Sequence, residues 1–372
     1  MRKAYTIAGT MSGTSLDGVD VAVLKTDGEA HLEPGVTHFQ SYDEEERRTL
    51  SAAFDVGPNI TDRLDRSGII GIADEIVTRV HTEALRDGIN KSQQQVEYVG
   101  FHGQTIFHDP SRKLTVQIGD AQALADALGI PVIHDMRQND VMQGGEGAPL
   151  APVFHGAMVE ALSAEKPAIF LNVGGVANAT YIGNDGSLLA FDTGPGNALL
   201  DDLMHAEFGE RMDLGGKIAK TGRVNQHALD QLLAHPFFDR KPPKSLDRRD
   251  FHAFALRELE NLNVPDRLAT LTKFTVQAIM RAAEWYPKSA NTMIVSGGGA
   301  KNPVMMKHLG DTSSVVPQIA SDLGWDDVFI EANAFAYLAA RHLRGLPLSY
   351  PGTTSVPAPT KGGEIAYPRC SA

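Results

Sequence analysis

Short apolar runs that end in glycine, separated by stretches with apolar residues three or four apart, set the pattern of this chain. Residues 5–8 and 19–24 read as strands around a glycine-rich turn. Further strands are expected at 96–101, ending at His102-Gly103, and at 131–134. The apolar run 168–173 leads into Gly174-Gly175, residues 188–191 lead into Asp192, and 293–295 lead into Ser296 and three glycines. Helical spacing covers 69–87, where Ile69, Ile72, Ile76, Val80 and Ala84 form one stripe. Helices are also expected at 44–57, 121–128 (closed by Gly129), 150–163, 266–285 and 326–344. Alternating strands and helices imply an α/β fold with mixed sheets, and ligands of such sheets bind where strands run into loops.

Length adds a division into domains, because 372 residues exceed what one core usually serves. The expected units are 1–138 with the first glycine loop, 139–345 with the later loops, and a Pro-rich surface tail at 346–372. The polar stretch 135–149, containing Gly144, Gly145 and Gly147, reads as a loop over a site or as the loop and hinge between them. A net charge of −12 argues against nucleic acid or an anionic membrane as partner, since both need a basic face. Nucleotides stay possible, because backbone amides and local dipoles bind them. The single cysteine, Cys370, permits no intrachain disulfide framework. Residues 1–9 lack the apolar core of a signal peptide, and no run reaches the ~18 apolar residues of a membrane helix. A soluble, cytoplasmic protein is expected.

Four glycine-rich turns carry the candidate chemistry. Gly13, Thr14, Ser15, Leu16, Asp17, Gly18, Val19 and Asp20 lie between two strands, where small residues turn backbone amides toward an anion. This is neither a Walker A loop nor a dinucleotide fingerprint. An ordinary hairpin turn competes with the phosphate reading, and the carboxylates of Asp17 and Asp20 favour phosphate with a magnesium ion. The second turn follows Phe191-Asp192, and a carboxylate at a strand end suits a general base. The third is Gly174-Gly175; the fourth, Gly297-Gly298-Gly299, leaves room for a flat adenine against backbone. His102 and Gln104 read as sugar contacts or structural groups, and two histidines six apart make a poor zinc site. Arg137 sits in a charged loop, and Glu331 in an otherwise apolar stretch.

The strings GTMSGTSLDGVD, FHGQT, TVQIGD, GGEGAPL, LNVGGVAN, FDTGPGN, VSGGGAKN and EANAFAYLA occur in that order between residues 9 and 339. Together they resemble the anhydro-N-acetylmuramic acid kinase family, within the wider actin/hexokinase/heat-shock ATPase group. The resemblance implies a two-domain actin-like, ribonuclease H-like fold with an interdomain active-site cleft. It implies an ATP- and magnesium-dependent sugar kinase of cell-wall recycling and amino-sugar catabolism. Such an enzyme opens the 1,6-anhydro bridge and phosphorylates the freed 6-hydroxyl.

By the same likeness, Gly13 to Asp20 and Gly174-Gly175 would hold phosphates, with Asp17 reaching magnesium through water. Gly297, Gly298 and Gly299 would take adenosine, and Asp192 would be the base. His102, Gln104, Arg137, Gly145, Glu146 and Glu331 would line the sugar. Three positions depart from the family pattern: Phe101 in place of a serine, Asp120 in place of an asparagine, and Gln138-Asn139 in place of a more basic pair. A kinase of another small substrate, a heat-shock-like ATPase module and a plain glycoside hydrolase are the competing readings. The oligomeric state, a homodimer included, stays open.

Overall fold

Strand formation follows the apolar runs, and several strands extend well past them. The computed structural model describes residues 3–247 and 250–369; Cys370 and the first two residues of the amino-terminal stretch lie outside them. In chain order the strands are β1 (Tyr5–Ser12), β2 (Gly18–Thr26), β3 (Leu32–Ser41), β4 (Tyr98–Asp109), β5 (Leu114–Ile118) and β6 (Val132–His134). They continue as β7 (Ala168–Val173), β8 (Val176–Ile182), β9 (Leu188–Pro195), β10 (Thr292–Ser296), β11 (Pro317–Ile319) and β12 (Glu364–Ala366). The chain forms two compact units, Met1–Ala161 with Val328–Ala372, and Leu162–Asp327.

The first unit is built on a sheet ordered β12-β6-β4-β1-β2-β3, with β5 paired to β4. Strand β2 is buried on both faces, which accounts for its nearly continuous apolar run. The helix Ile69–Ser92 lies over β2 and β3 and buries Ile70, Ala73, Val77, Val80 and Ala84, while Ile72 is 54% exposed. Val80 and Ala84 are buried as expected, while in the first turns burial falls one residue later than expected, on Ile70, Ala73 and Val77. The helix Ile330–Leu343 is buried almost all round and packs on β1, β2 and β4. Gly9 and Gly100 are register partners on β1 and β4. A Cβ on either would overlap a backbone carbonyl of this helix, Ala332 for Gly9 and Phe335 for Gly100. Two facing glycines thus make the notch that seats it.

The expected divisions after 138 and 345 both fall inside this unit. Strand β6 pairs with β4 and β12 pairs antiparallel with β6, so the segment after 345 is part of the sheet rather than a surface tail. Asp140, only 2% exposed, fixes the surrounding loop. It accepts hydrogen bonds from Gly147 N (2.6 Å), Thr354 Oγ1 (2.6 Å) and the Ser349 hydroxyl. The stretch expected to act as a hinge contains the short helix Gln138–Met142 and is pinned by this one carboxylate.

The second unit carries the sheet β11-β10-β7-β8-β9. Ile169, Leu171 and Val173 of β7, Ala177, Ala179 and Tyr181 of β8, and Met293 and Val295 of β10 all join its core. The helix Val264–Arg281 and an aromatic cluster of Phe237, Phe238, Phe251 and Phe274 belong to the same core. The opposite face therefore carries the alternate residues of each strand. Among the described residues, no helix is long and apolar enough to cross a membrane.

Candidate active site

In the second unit, β7 runs parallel to β10 and antiparallel to β8, which is antiparallel to β9. The carboxyl ends of β7, β9 and β10 thus share one edge, and their glycine turns meet there. Asn197 N donates to Gly174 O (2.8 Å), and Gly196 N and Ala198 N donate to Gly175 O (2.9 and 3.1 Å). Asn197 Nδ2 donates to Val173 O (3.1 Å) and lies beside Gly298. Gly297 adopts φ +83° and abuts Val173 and Asn172, so a side chain there would collide with them. The structure brings Gly174, Gly175, Gly297, Gly298 and Gly299 to one edge of the sheet, and backbone amides gathered in this way can hold an anion.

Asp192 lies within β9, three residues before its end, because pairing with β8 continues to Pro195. Its Oδ2 accepts from Leu246 N (2.7 Å), and its own N–H donates to Lys244 O (2.9 Å). Burial raises its carboxyl to about 6, and the Leu246 N–H pulls the other way. No charged neighbour contributes to that rise. A half-buried carboxyl raised toward neutrality has the proton affinity that a general base needs.

The first glycine turn, in the first unit, is a hairpin between β1 and β2. Leu16 closes it with φ +56° and a bond from its N–H to Gly13 O (3.2 Å), packing its side chain on the core. Ser12 Oγ donates to Gln104 Oε1 (2.6 Å) and lies 3.1 Å from the Tyr42 hydroxyl. Gln104 Nε2 donates to Gly13 O (3.3 Å), and Tyr42 N donates to Asp17 O (3.1 Å). Gln104 is fully buried and committed to the turn, so it orients this loop. Val19 belongs to the core, and Gly18 is needed by sheet pairing, since a Cβ would overlap Gln40 O. Thr14, Ser15 and Asp17 are exposed and free to face a ligand. Ser12 and Tyr42 were not singled out from sequence; their only signal is a hydroxyl at a strand end and an aromatic before a capped helix.

Strand β4 continues through His102-Gly103-Gln104 because β5 pairs with its second half and Gly103 takes φ +73°. His102 lies 2.7 Å from Gly103 O through Nδ1 and accepts from Arg137 Nε through Nε2 (3.0 Å). This network assigns the proton to Nδ1, and burial beside Arg137 holds the ring neutral, well below its ordinary range. Both nitrogens are thereby used, and His102 positions Arg137. Arg137 Nη1 donates to Gly147 O (2.9 Å), and the guanidinium stands 5.7 Å from the Phe335 ring centre. Burial lowers Arg137 to about 10, against the pull of Glu331 and Asp140.

Glu331 opens the helix Ile330–Leu343 and is solvent-exposed at its tip. Although the residue as a whole is exposed, desolvation of its carboxyl by the surrounding protein raises it, and Arg137 opposes the rise. Gly145 is buried against Asp140, and Glu146 is exposed while its backbone bonds Thr354 O and His108. Phe101 and Asp120 both line a recess of about 530 Å³ in this unit, together with His102, Arg63 and Arg66. Asp120 also caps the helix Ala121–Leu128. Asn139 Nδ2 donates to Lys361 O (2.6 Å).

These features define a class: an α/β protein with a half-buried carboxyl raised toward neutrality on the strand that leads into converging glycine turns. The sequence pattern of the anhydro-N-acetylmuramic acid kinases matches residues 5–368, and the chain belongs to that family. It is 47% identical over 369 residues to the anhydro-N-acetylmuramic acid kinase of Nitrobacter winogradskyi, covering 98% of this chain and 100% of that protein. It is 46% identical over 369 residues to the enzyme of the same name from Bradyrhizobium diazoefficiens, covering 98% and 99%. Among solved structures, component A of the (R)-2-hydroxyglutaryl-CoA dehydratase of Acidaminococcus fermentans matches with TM-score 0.48 and 12% identity, covering 90% of this chain and 99% of that one.

Proposed function

We propose that this protein is an ATP-dependent kinase that hydrolyses the 1,6-anhydro bridge of anhydro-N-acetylmuramic acid and yields N-acetylmuramic acid 6-phosphate. The observation that carries this reading is Asp192, with its carboxyl raised to about 6, beside the converging glycine turns. Asp192 takes a proton from water as the water oxygen bonds to the anomeric carbon. The bond from that carbon to the bridging oxygen breaks, and the freed C6 oxygen bonds to the γ-phosphorus as ADP departs. Glycine turns suit this chemistry because phosphoryl transfer asks for positioning and charge neutralisation.

In the first unit, Thr14, Ser15 and the backbone of 13–17 would hold phosphate; in the second, Gly174 and Gly175 would do so, and Gly297, Gly298 and Gly299 would take the adenosine. Arg137 and Glu331 would contact the sugar, held by the His102 and Asp140 networks. Among the described residues there is no group of three acidic, histidine or cysteine side chains suited to a metal. Magnesium fits such a site, since it uses one or two carboxylates plus phosphate and water, and exposed Asp17 is the carboxylate available. When bound, that ion would neutralise charge on the phosphates. A reaction that consumes ATP would run in the cytoplasm, as a step of peptidoglycan recycling.

A coupled assay with the anhydro sugar, with and without ATP and magnesium, tests the reading. Sugar phosphate and ADP should form in equal amounts only with all components. Release of the free sugar without ATP would make the protein a hydrolase, and ATP turnover indifferent to the sugar would make it another ATPase.

A further inference from the structure

Register aligns more than Asp192 on the face of the second sheet opposite its aromatic core, a face buried elsewhere at Phe170, Thr180 and Ile294. Asn172 of β7 pairs with Asn178 of β8, and Asn178 pairs with Asp192 of β9. Directly paired residues share a face with Cβ atoms about 5 Å apart. The face is the one opposite the core, which takes Leu171, Val173, Ala177 and Ala179 instead. On each strand the row residue keeps partial access to water, while the residues flanking it are mostly buried. Asn172 sits at the nucleoside end of the row, against Gly297. The backbone of Asn178 is held in the ladder between β7 and β9, but its side chain has no hydrogen-bond, ion-pair or ring partner among the described residues. An amide in a strand otherwise filled by small and apolar residues has no packing reason to be there.

We infer that Asn178 is a positioning residue of the reaction, holding the attacking water or the sugar oxygen beside Asp192. The inference rests on the kinase reading above and adds a residue to it. An amide suits the place because it donates and accepts without charge. A second carboxylate there would stand directly opposite Asp192 and oppose its ionisation. The charged groups on the segment packed against Asp192 are Lys244 and Asp247. The Lys244 ammonium is turned to Phe237 O and Phe238 O (3.1 and 3.2 Å), and Asp247 is exposed. From β8, Asn178 is the group that faces it.

Asn178→Ala and Asn178→Asp test this in the full chain, with thermal melts to establish folding. Asn178→Ala should lower kcat roughly 10- to 100-fold with KM for ATP nearly unchanged. Asn178→Asp should move the acid limb of the kcat/KM profile up by about one pH unit. A kcat within about twofold of the parent for Asn178→Ala, or an unmoved acid limb for Asn178→Asp, would overturn the inference. A parent protein inert toward the anhydro sugar would instead bring down the kinase reading. In that case carboxyl-carbon NMR of the ligand-free proteins decides: Asp192 should titrate higher in Asn178→Asp, and an unchanged titration refutes the juxtaposition.

Discussion

At Asp192, chemistry and stability pull in opposite directions. Its carboxyl is raised from 3.8 to about 6 by burial, so the folded state disfavours the charge that a base must carry. The folded protein binds the proton more tightly than the unfolded chain, so stability falls as pH climbs from about 4 to about 6 and stays lowered above that. Asp192→Asn removes the penalty. It should raise the melting temperature at pH 8, by up to about 3 kcal/mol of stability, and give no gain at pH 3.5. The same variant should lose at least ~10² in turnover while calorimetry still shows ATP binding; near-normal turnover would remove Asp192 from the mechanism. Gly13 offers a cleaner test than most glycines. A Cβ there meets nothing closer than Ser15 Oγ at 3.7 Å, so Gly13→Val should fold normally. A large loss of ATP affinity at an unchanged melting temperature would then report contact with ligand, and unchanged affinity would leave the turn an ordinary hairpin.

Between elements, the tightest constraint is the helix Ile330–Leu343 lying on Gly9 and Gly100. Gly100→Ala must push a helix backbone off the sheet and should cost about 1–3 kcal/mol, read as a lowered melting temperature. Because Glu331 sits in the first turn of that helix, the KM for the sugar should rise as well. A variant as stable as the parent would show that the helix can shift freely. Strands that bury both faces or end in glycine, such as β2, β7 and β10, were legible in the sequence, and so were the glycine turns after β7 and β10; Asp192 was expected at a strand end and lies inside β9. Strand β8 was not, because Asn178 and Thr180 face away from the core and interrupt its apolar run. Strand β3, with Glu33, Pro34 and Gly35 on the sheet edge, offered no apolar pattern at all. The end of β4 was misjudged for a different reason: Gly103 reads as a stop, yet its left-handed backbone sits inside a continuing strand. Of the two readings offered for His102 and Gln104, only the extended strand shows the polar atoms already bonded within the protein.

For the molecule as a whole, the first unit is assembled from two separated stretches, and the second from one continuous stretch inserted between them. Removing residues 346–372 should therefore damage the first unit selectively. It deletes β12 and the Ser349 and Thr354 hydroxyls that satisfy buried Asp140. Hydrogen exchange should speed up in β6 and around 138–150 and stay unchanged in 162–327; uniform exchange would contradict two independent cores. The insertion also has a consequence for the newborn chain. A ribosome delivers residues 162–327 before the helix Ile330–Leu343 exists, at about 5–20 residues per second. For roughly ten to thirty seconds, then, β1 and β4 wait with their glycine notch uncovered and their apolar face open to water. During that interval the amino-terminal half is a natural client for a chaperone, and the inserted unit, complete in its own core, is free to fold first.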